Sequence, residues 1–468
     1  MMEKHELLQS WQETVRQSTG PLYKGIVQAL ALSVQQGVLH EGDRLPTQRL
    51  IASSLGTNLT TVTRAFREAH QIGLVDATVG RGTFVRVGAA TSQWQATKAS
   101  IVDMTMNLPP VPSVPSLATL MQTDFQNLFK SQSINSLMSY RVTGGTYDER
   151  YQGAKWIEPL IGPRRPDDIV VTPGAQTALA AAISVLTSPG DTILTEKMTY
   201  PGLRTVANQL GVLLVGVDGD EQGFLPLALE EACHKYRPKA IYCTPTIQNP
   251  TTITLPLTRR QSLMKIAHNA GIYVIEDDPY SLLLDNPIPA LSALERGGVI
   301  YIATLAKVLS PGLRTAYVAL PNPEFHQRFV AAVRAFSLTN AGVLSALTLR
   351  WMQSGQAENI LAAIKSELRL RQSIAKAILG DRPGMDPNGP HIWLHLPPWW
   401  NSSDFVAYAH HRGLALVPSS VFSVSDFSPE NVRVSLGNIP NINDLEKAMK
   451  DILTLLQYKK KDSYTPVV

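Results

Sequence analysis

Residues 304–314 read TLAKVLSPGLR, a single lysine, Lys307, in an otherwise uncharged run that ends on Arg314. A lysine amine is a nucleophile toward aldehydes and forms an imine with them. A site that uses such a lysine on an aromatic aldehyde must also hold that molecule's anionic group, its ring nitrogen and its phenolic oxygen. The chain offers a candidate for each. VTPGAQTAL (171–179) runs from a strand through Pro-Gly into a helix. The N–H groups of Gly174, Ala175 and Gln176 at that helix start are an anion cradle. Thr304 and Arg314 flank Lys307 and add a hydroxyl and a guanidinium for the same anion. VIEDDPY (274–280) ends a strand in carboxylates. A carboxylate beside a pyridine-type nitrogen keeps it protonated and makes the ring an electron sink. Asn249, in TPTIQNPTT, offers an amide to the ring oxygen, and Tyr200, in TEKMTYPG, a face to stack on the ring. Arg433, in NVRVSLGN, sits on a late strand and suits a bidentate grip on a carboxylate. Taken singly, each residue has a plain structural reading: a strand-end cap, a turn, a surface ion pair, a solvated lysine. Their order and spacing as a set carry the functional one.

The elements that must position these residues can be read from periodicity. Short apolar runs at 168–172, 192–196, 212–217, 240–244, 272–277, 299–305 and 316–320 alternate with amphipathic segments such as GAQTALAAAISVL. The runs are apolar throughout, so both faces are covered, as in an α/β unit with a mostly parallel sheet. From about residue 331 the pattern changes to long helices followed by HIWLHL (391–396), LALVP (414–418) and VRVSL (432–436), a smaller α+β unit. AATSQWQATKASIVD (89–103) is small and polar and reads as a linker. The expected organisation is therefore a head at 10–88, a linker at 89–103, a large unit at 104–330 and a small unit at 331–468. With 468 residues, 44% hydrophobic and 17% charged, the chain can bury several cores. A net charge of +4 permits an anionic partner without requiring one. Two cysteines, Cys233 and Cys243, make no disulfide framework and fit a reducing cytoplasm. The polar start MMEKHELLQSWQETV has no signal core, and no apolar run is long enough to span a bilayer. No membrane partner and no metal site are expected.

The head, GDRLPTQRLIASSLGTNLTTVTRAFREAHQIGLVDATVGRGTFV (42–85), joins three signals. Thr47 caps a helix through Leu55, Gly56 permits a sharp turn, and Asn58 or Thr60 caps a second helix. In that second helix Val62, Ala65, Phe66 and Ala69 face inward, while Thr60, Thr61, Thr63 and Arg64 face outward. This is a helix-turn-helix, whose second helix enters the major groove. GLVDATVGRGTFVRV then forms a two-stranded wing with Gly80-Arg81-Gly82 at its turn, where Arg81 can reach phosphates. The expected partner is double-stranded DNA.

On LPTQR, TTVTRAF and GLVDATVGRGTFV the head resembles the GntR family of bacterial regulators. The resemblance implies DNA contacts from Arg49, Thr60, Thr61, Thr63 and Gly80, with Arg44 and Arg81 on phosphates. Many members carry an arginine just before the two threonines, where this chain has Leu59. On AKVLSPGLR and the residues above, the remainder resembles fold-type I aminotransferases. That implies pyridoxal 5'-phosphate as cofactor and Lys307 as its Schiff-base lysine. It also implies Asp277 at the ring nitrogen, Tyr280 and Asn249 at the phenolic oxygen, and Tyr200 stacked on the ring. Thr304 and Arg314 then hold the phosphate, Arg433 a carboxylate, and Tyr140 reaches a neighbouring subunit's phosphate. The family's Asn-Pro-Thr-Gly is NPTT here, and Ala316 stands where glycine is common. A GntR head on an aminotransferase-like body resembles the MocR subfamily. It implies a homodimeric regulator that senses a small amine or amino-acid effector, or the cofactor itself. The rival expectation is a working aminotransferase that carries a DNA-binding head.

Overall fold

The computed structural model of the chain describes residues 4–17, 21–35, 38–39, 43–71, 75–78, 82–85, 101–112, 116–426 and 428–459. It divides into two compact units, Met1–Ile101 and Val102–Val468. Gly80, Arg81 and most of the expected linker lie outside the described residues.

The first unit contains helices α1 (Lys4–Gln17), α2 (Leu22–Gln35), α3 (Gln48–Ser54) and α4 (Leu59–Gln71), followed by the antiparallel pair β1 (Val75–Thr78) and β2 (Gly82–Val85). It begins earlier than the expected residue 10. Leu7, Trp11 and Val15 recur at four-residue spacing, forming an apolar stripe that is buried in the head's core. The Trp11 indole N–H donates to Ser33 Oγ at 2.8 Å, which fixes α1 on α2. Thr47 caps α3 by accepting from the Leu50 N–H at 3.3 Å. Gly56, at φ 61°, makes the turn into α4. Asn58, rather than Thr60, caps α4: its Oδ1 accepts from the Thr61 N–H at 2.8 Å. Val62, Ala65, Phe66 and Ala69 are buried, as their spacing requires.

The second unit is built on a seven-stranded sheet in the order β4-β12-β11-β10-β9-β5-β6. After β3 (Val102–Asp103), its strands are β4 (Ile169–Thr172), β5 (Thr192–Glu196), β6 (Leu213–Val217), β9 (Ala240–Cys243), β10 (Tyr273–Asp277), β11 (Val299–Thr304) and β12 (Ala316–Ala319). A separate hairpin joins β7 (Gly219–Asp220) to β8 (Gly223–Phe224). Apolar side chains of the sheet enter two cores, one on each face. All pairings in the sheet are parallel except those of β12, which runs antiparallel to both β11 and β4. The connection from Thr304 to Ala316 is too short for a crossover helix, so the chain must reverse. That forced reversal carries Lys307. The C-terminal ends of β4, β5, β9, β10 and β11 share the edge where such sheets bind ligands.

A smaller layer completes the unit. β13 (His391–His395) pairs with β16 (Asn431–Ser435), and β16 with β15 (Val417–Pro418). Helices Gln356–Leu379, Ser402–His411 and Ile442–Gln457 share its apolar core. β14 (Leu414–Ala415) pairs instead with β3. LALVP is thus two strands with two different partners rather than one. Val102 and Asp103, read from sequence as linker, belong to this layer, and Met104 next to them is fully buried. Sequence periodicity could not show this, because two residues are too few to carry a period.

One close contact sets a stability test. A Cβ at Gly153, inside the helix Tyr147–Ile161, would stand 2.3 Å from the Tyr317 ring on β12. Gly153→Ala should therefore destabilise the fold by about 1–3 kcal/mol, although alanine is the better helix former. A denaturation midpoint at or above wild type would contradict this packing.

Candidate functional site

Lys307 lies on the turn after β11, and its Nζ donates to the backbone oxygen of Asn107. Burial, aided by the charge of Arg433, pushes its pKa down to about 8, with Asp277 opposing. A substantial share of the amine is then neutral, and nucleophilic, near physiological pH. Asp277, the last residue of β10, accepts from the Tyr242 hydroxyl at 2.7 Å through Oδ2. Its Oδ1 is buried and has no partner among the described residues. Burial pushes this carboxyl up to about 6, while the Tyr242 bond and Lys307 pull it back and Asp278 adds to the rise. Asp278 is different. It accepts from the Tyr301 hydroxyl at 2.9 Å and the Ser281 N–H at 3.0 Å, so it holds the turn. Of the two adjacent carboxylates, Asp277 has the open oxygen.

Arg433, on β16, donates through one terminal nitrogen to Asn249 Oδ1 at 2.9 Å and through the other to the Thr105 backbone oxygen. It stacks over the Phe422 ring at 4.9 Å. Its Nε is buried without a partner, and burial pushes its pKa down to about 10. Tyr280 is buried, its hydroxyl oxygen accepts from Asn107 Nδ2 at 2.9 Å, and burial pushes its phenol up. Tyr200 precedes the helix Pro201–Gln209, and its hydroxyl donates to Gln176 Oε1 at 3.1 Å.

The residues read as an anion corner lie as follows, with one correction. Thr304 is buried, and its hydroxyl accepts from the Ala306 N–H at 3.2 Å. Arg314 donates to Pro173 O at 3.1 Å. Gly174, at φ 97°, lets the guanidinium approach: a Cβ there would stand 3.1 Å from an Arg314 nitrogen. The same tight turn directs the Gly174 N–H to Thr172 O at 2.7 Å. The cradle of the helix Ala175–Leu186 therefore rests on Ala175 and Gln176, not on three N–H groups. Tyr140 is not brought to this cluster; it stands 85% exposed.

This arrangement fits pyridoxal 5'-phosphate. Asp277 Oδ1 lacks a donor that a protonated ring nitrogen would supply. Arg314, Thr304 and the helix start would hold its phosphate, and Lys307 would supply the amine. Three residues of the cluster escaped sequence reasoning: Tyr242, Asn107 and His391. Tyr242 stands opposite Ile275 in the β9–β10 register, which puts it on the same face as Asp277. Knowing that register would have found it. Asn107 lies 173 residues from Tyr280 and 284 from His391, with no local signal. Trp400 packs in the small layer, its indole N–H donating to Leu455 O at 3.0 Å, and Trp399 is exposed.

In the first unit the hydroxyl row of α4 divides. Thr60 is exposed. The Thr61 hydroxyl donates to Asn58 Oδ1 at 2.7 Å, and the Thr63 hydroxyl to Gln48 Oε1 at 2.9 Å, tying α4 to α3. Arg49 is exposed, and Arg64 lies 4.1 Å over the Tyr23 ring. The Arg44 side chain lies against the start of β2: a Cβ at Gly82 would stand 2.9 Å from its Nε.

Comparison with known proteins gives the following. Residues 100–452 match the family described as aminotransferase class I and II, and residues 22–85 match bacterial regulatory proteins of the gntR family. An uncharacterized HTH-type transcriptional regulator of Bacillus subtilis, YdeF, is 31% identical over 452 residues, covering 96% of this chain and 97% of that one. The HTH-type transcriptional regulator TauR of Rhodobacter capsulatus is 28% identical, covering 86% and 90%. The kynurenine aminotransferase of Pyrococcus horikoshii has a similar fold, with a TM-score of 0.70 at 23% identity over 80% of this chain and 95% of that one.

Proposed function

We propose, on the premise that this chain belongs to the aminotransferase class I and II family and carries a gntR-family head, the MocR architecture, that it is a pyridoxal 5'-phosphate-dependent DNA-binding transcription regulator. The observation that carries this reading is the convergence of Lys307, the open oxygen of Asp277 and Arg433 in one buried cluster of a chain with such a head. When bound, the cofactor supplies an aldehyde carbon and an electron-withdrawing ring. The protein's own groups do the rest. Lys307 offers the neutral amine. Asp277 holds a proton on the ring nitrogen. Tyr280 and the Asn249 amide face the phenolic oxygen, Tyr200 covers the ring, and Arg314, Thr304, Ala175 and Gln176 hold the phosphate. Arg433 grips the carboxylate of an amino-acid effector, whose amine would compete with Lys307. Such competition alters DNA binding only if the two states of Lys307 differ in their preference for a DNA-competent arrangement.

A homodimer is part of the proposal. Phe129, Ile134, Met138, Tyr140, Val142 and Tyr147 are all exposed within a short span of chain, which favours burial against a second copy. Light scattering should give twice the 51.2 kDa chain mass, and a monomer at micromolar concentration would contradict it. The aminotransferase alternative is separable by assay. Rapid multiple turnover of an amino acid with a 2-oxo acid would favour the enzyme, and its absence in cofactor-loaded protein the sensor.

DNA recognition is proposed to run through Arg44, Arg49, Thr60, Thr61, Thr63, Gly80 and Arg81. Arg49→Ala should weaken binding by a similar factor on every DNA sequence and lower the slope of log affinity against log salt by about one. That result would put Arg49 on a phosphate, and an unchanged slope with altered sequence preference would put it at a base edge.

A further inference from the structure

His391 opens β13 and is fully buried, and the proposed roles leave it without a task. Its ring touches two polar groups, of which the carbonyl has a fixed polarity. Nε2 lies 3.1 Å from the backbone oxygen of Pro250, and Nδ1 lies 3.0 Å from Asn107 Nδ2. A carbonyl oxygen only accepts, so Nε2 carries the hydrogen. Burial, with the nearby charges of Arg433 and Lys307, pushes the imidazole down to about 3, so the ring is neutral and Nδ1 is a bare acceptor. Asn107 must then present its NH₂ to the ring, because the reversed amide would set two lone pairs against each other. That same NH₂ reaches the Tyr280 hydroxyl at 2.9 Å. The Tyr280 oxygen thus accepts from Asn107, and its own proton is left to be donated elsewhere. The amide orientation also explains why Asn107 Oδ1 is buried without a partner.

We propose that His391 is a positioning residue: through Asn107, its fixed tautomer makes Tyr280 a hydrogen-bond donor toward the phenolic oxygen of the bound cofactor. Polarity passes in one direction, from the Pro250 carbonyl through the imidazole and the amide to the phenol. Without His391, the Asn107 amide can turn over and accept the Tyr280 proton, and the phenol then has none to give the cofactor. This inference rests on the functional reading above, since it needs a cofactor with a phenolic oxygen in the cluster.

The test is a titration of cofactor-free protein with pyridoxal 5'-phosphate, followed by visible absorbance. His391→Phe should raise the apparent Kd about tenfold, the value of one neutral hydrogen bond. His391→Asn keeps an acceptor near the Nδ1 position and should recover most of that loss. In the Tyr280→Phe background, His391→Phe should change the Kd by less than about twofold, because its path to the cofactor is already cut. A residue that merely fills space would give losses that multiply. Should His391→Phe not fold, Asn107→Leu interrupts the same link and should show the same tenfold loss. Wild-type affinity in either variant, or multiplying losses in the double variant, overturns the role of His391 alone. Failure of the wild-type protein to bind the cofactor overturns the functional reading, and this inference with it.

Discussion

Lys307→Ala should abolish the visible absorbance that pyridoxal 5'-phosphate acquires on binding the wild-type protein, and should weaken retention of the cofactor on the order of 100-fold, about 2.7 kcal/mol. Among the described residues of the cluster, Lys307 supplies the amine, and its pKa of about 8 keeps part of it uncharged near neutrality. The same value sets a pH dependence. The free base is the nucleophile, so the rate at which colour develops should rise about tenfold per pH unit below 8 and flatten above it. The sign follows from the cause: burial disfavours the ammonium, so the amine frees at lower pH than an exposed lysine would. A rate that keeps climbing to pH 10 would mean that another, exposed lysine carries the reaction. Retained absorbance in Lys307→Ala would mean the same.

Asp277→Ala should be at least as damaging. A buried cationic ring nitrogen left without its counter-charge loses about 3–5 kcal/mol, which is on the order of 10²–10⁴ in cofactor affinity. The same change removes the shorter bond of the buried Tyr242 hydroxyl and leaves it the Thr244 hydroxyl at 3.4 Å. Asp278→Ala separates the two carboxylates. It should lower thermal stability, since it removes the acceptor for Tyr301 and Ser281, yet leave much of the cofactor affinity in the protein that remains folded. The opposite pattern would exchange the two roles. Asp277 has a carboxyl raised to about 6 in the free protein. Its charged form is lost as pH falls through that value, so cofactor binding should weaken on acidification below about 6.

The sequence made the large unit legible because its strands are buried on both faces and read as unbroken apolar runs. It also singled out Lys307, Asp277, Asn249 and Tyr200, since each stands at a strand end or turn with a neighbouring signal such as Pro-Gly or Asp-Asp, and Arg433, a lone charge in the middle of the apolar strand β16. What stayed hidden follows one physical pattern. β3 is two residues long and pairs with β14 more than 300 residues away, so no periodicity marks it. Asn107 follows β3 and meets His391 of β13 only across 284 residues of chain, and neither type nor spacing announces them. The position of Gly174 before a helix makes its N–H look like a cradle donor. Only the backbone angle reveals that it already donates to Thr172. In the head, the apolar stripe from Leu7 to Val15 is masked in the sequence by the polar residues around it.

The central claim is that the state of Lys307 is read out as DNA binding. The direct measurement is the affinity of the full-length protein for a DNA fragment selected from random sequence, taken with and without pyridoxal 5'-phosphate, for wild type and for Lys307→Ala. The account predicts that the cofactor changes the wild-type Kd at least fivefold, a coupling of about 1 kcal/mol, and leaves Lys307→Ala unmoved. Equal shifts in both proteins, or none in wild type that has demonstrably bound the cofactor, would contradict it.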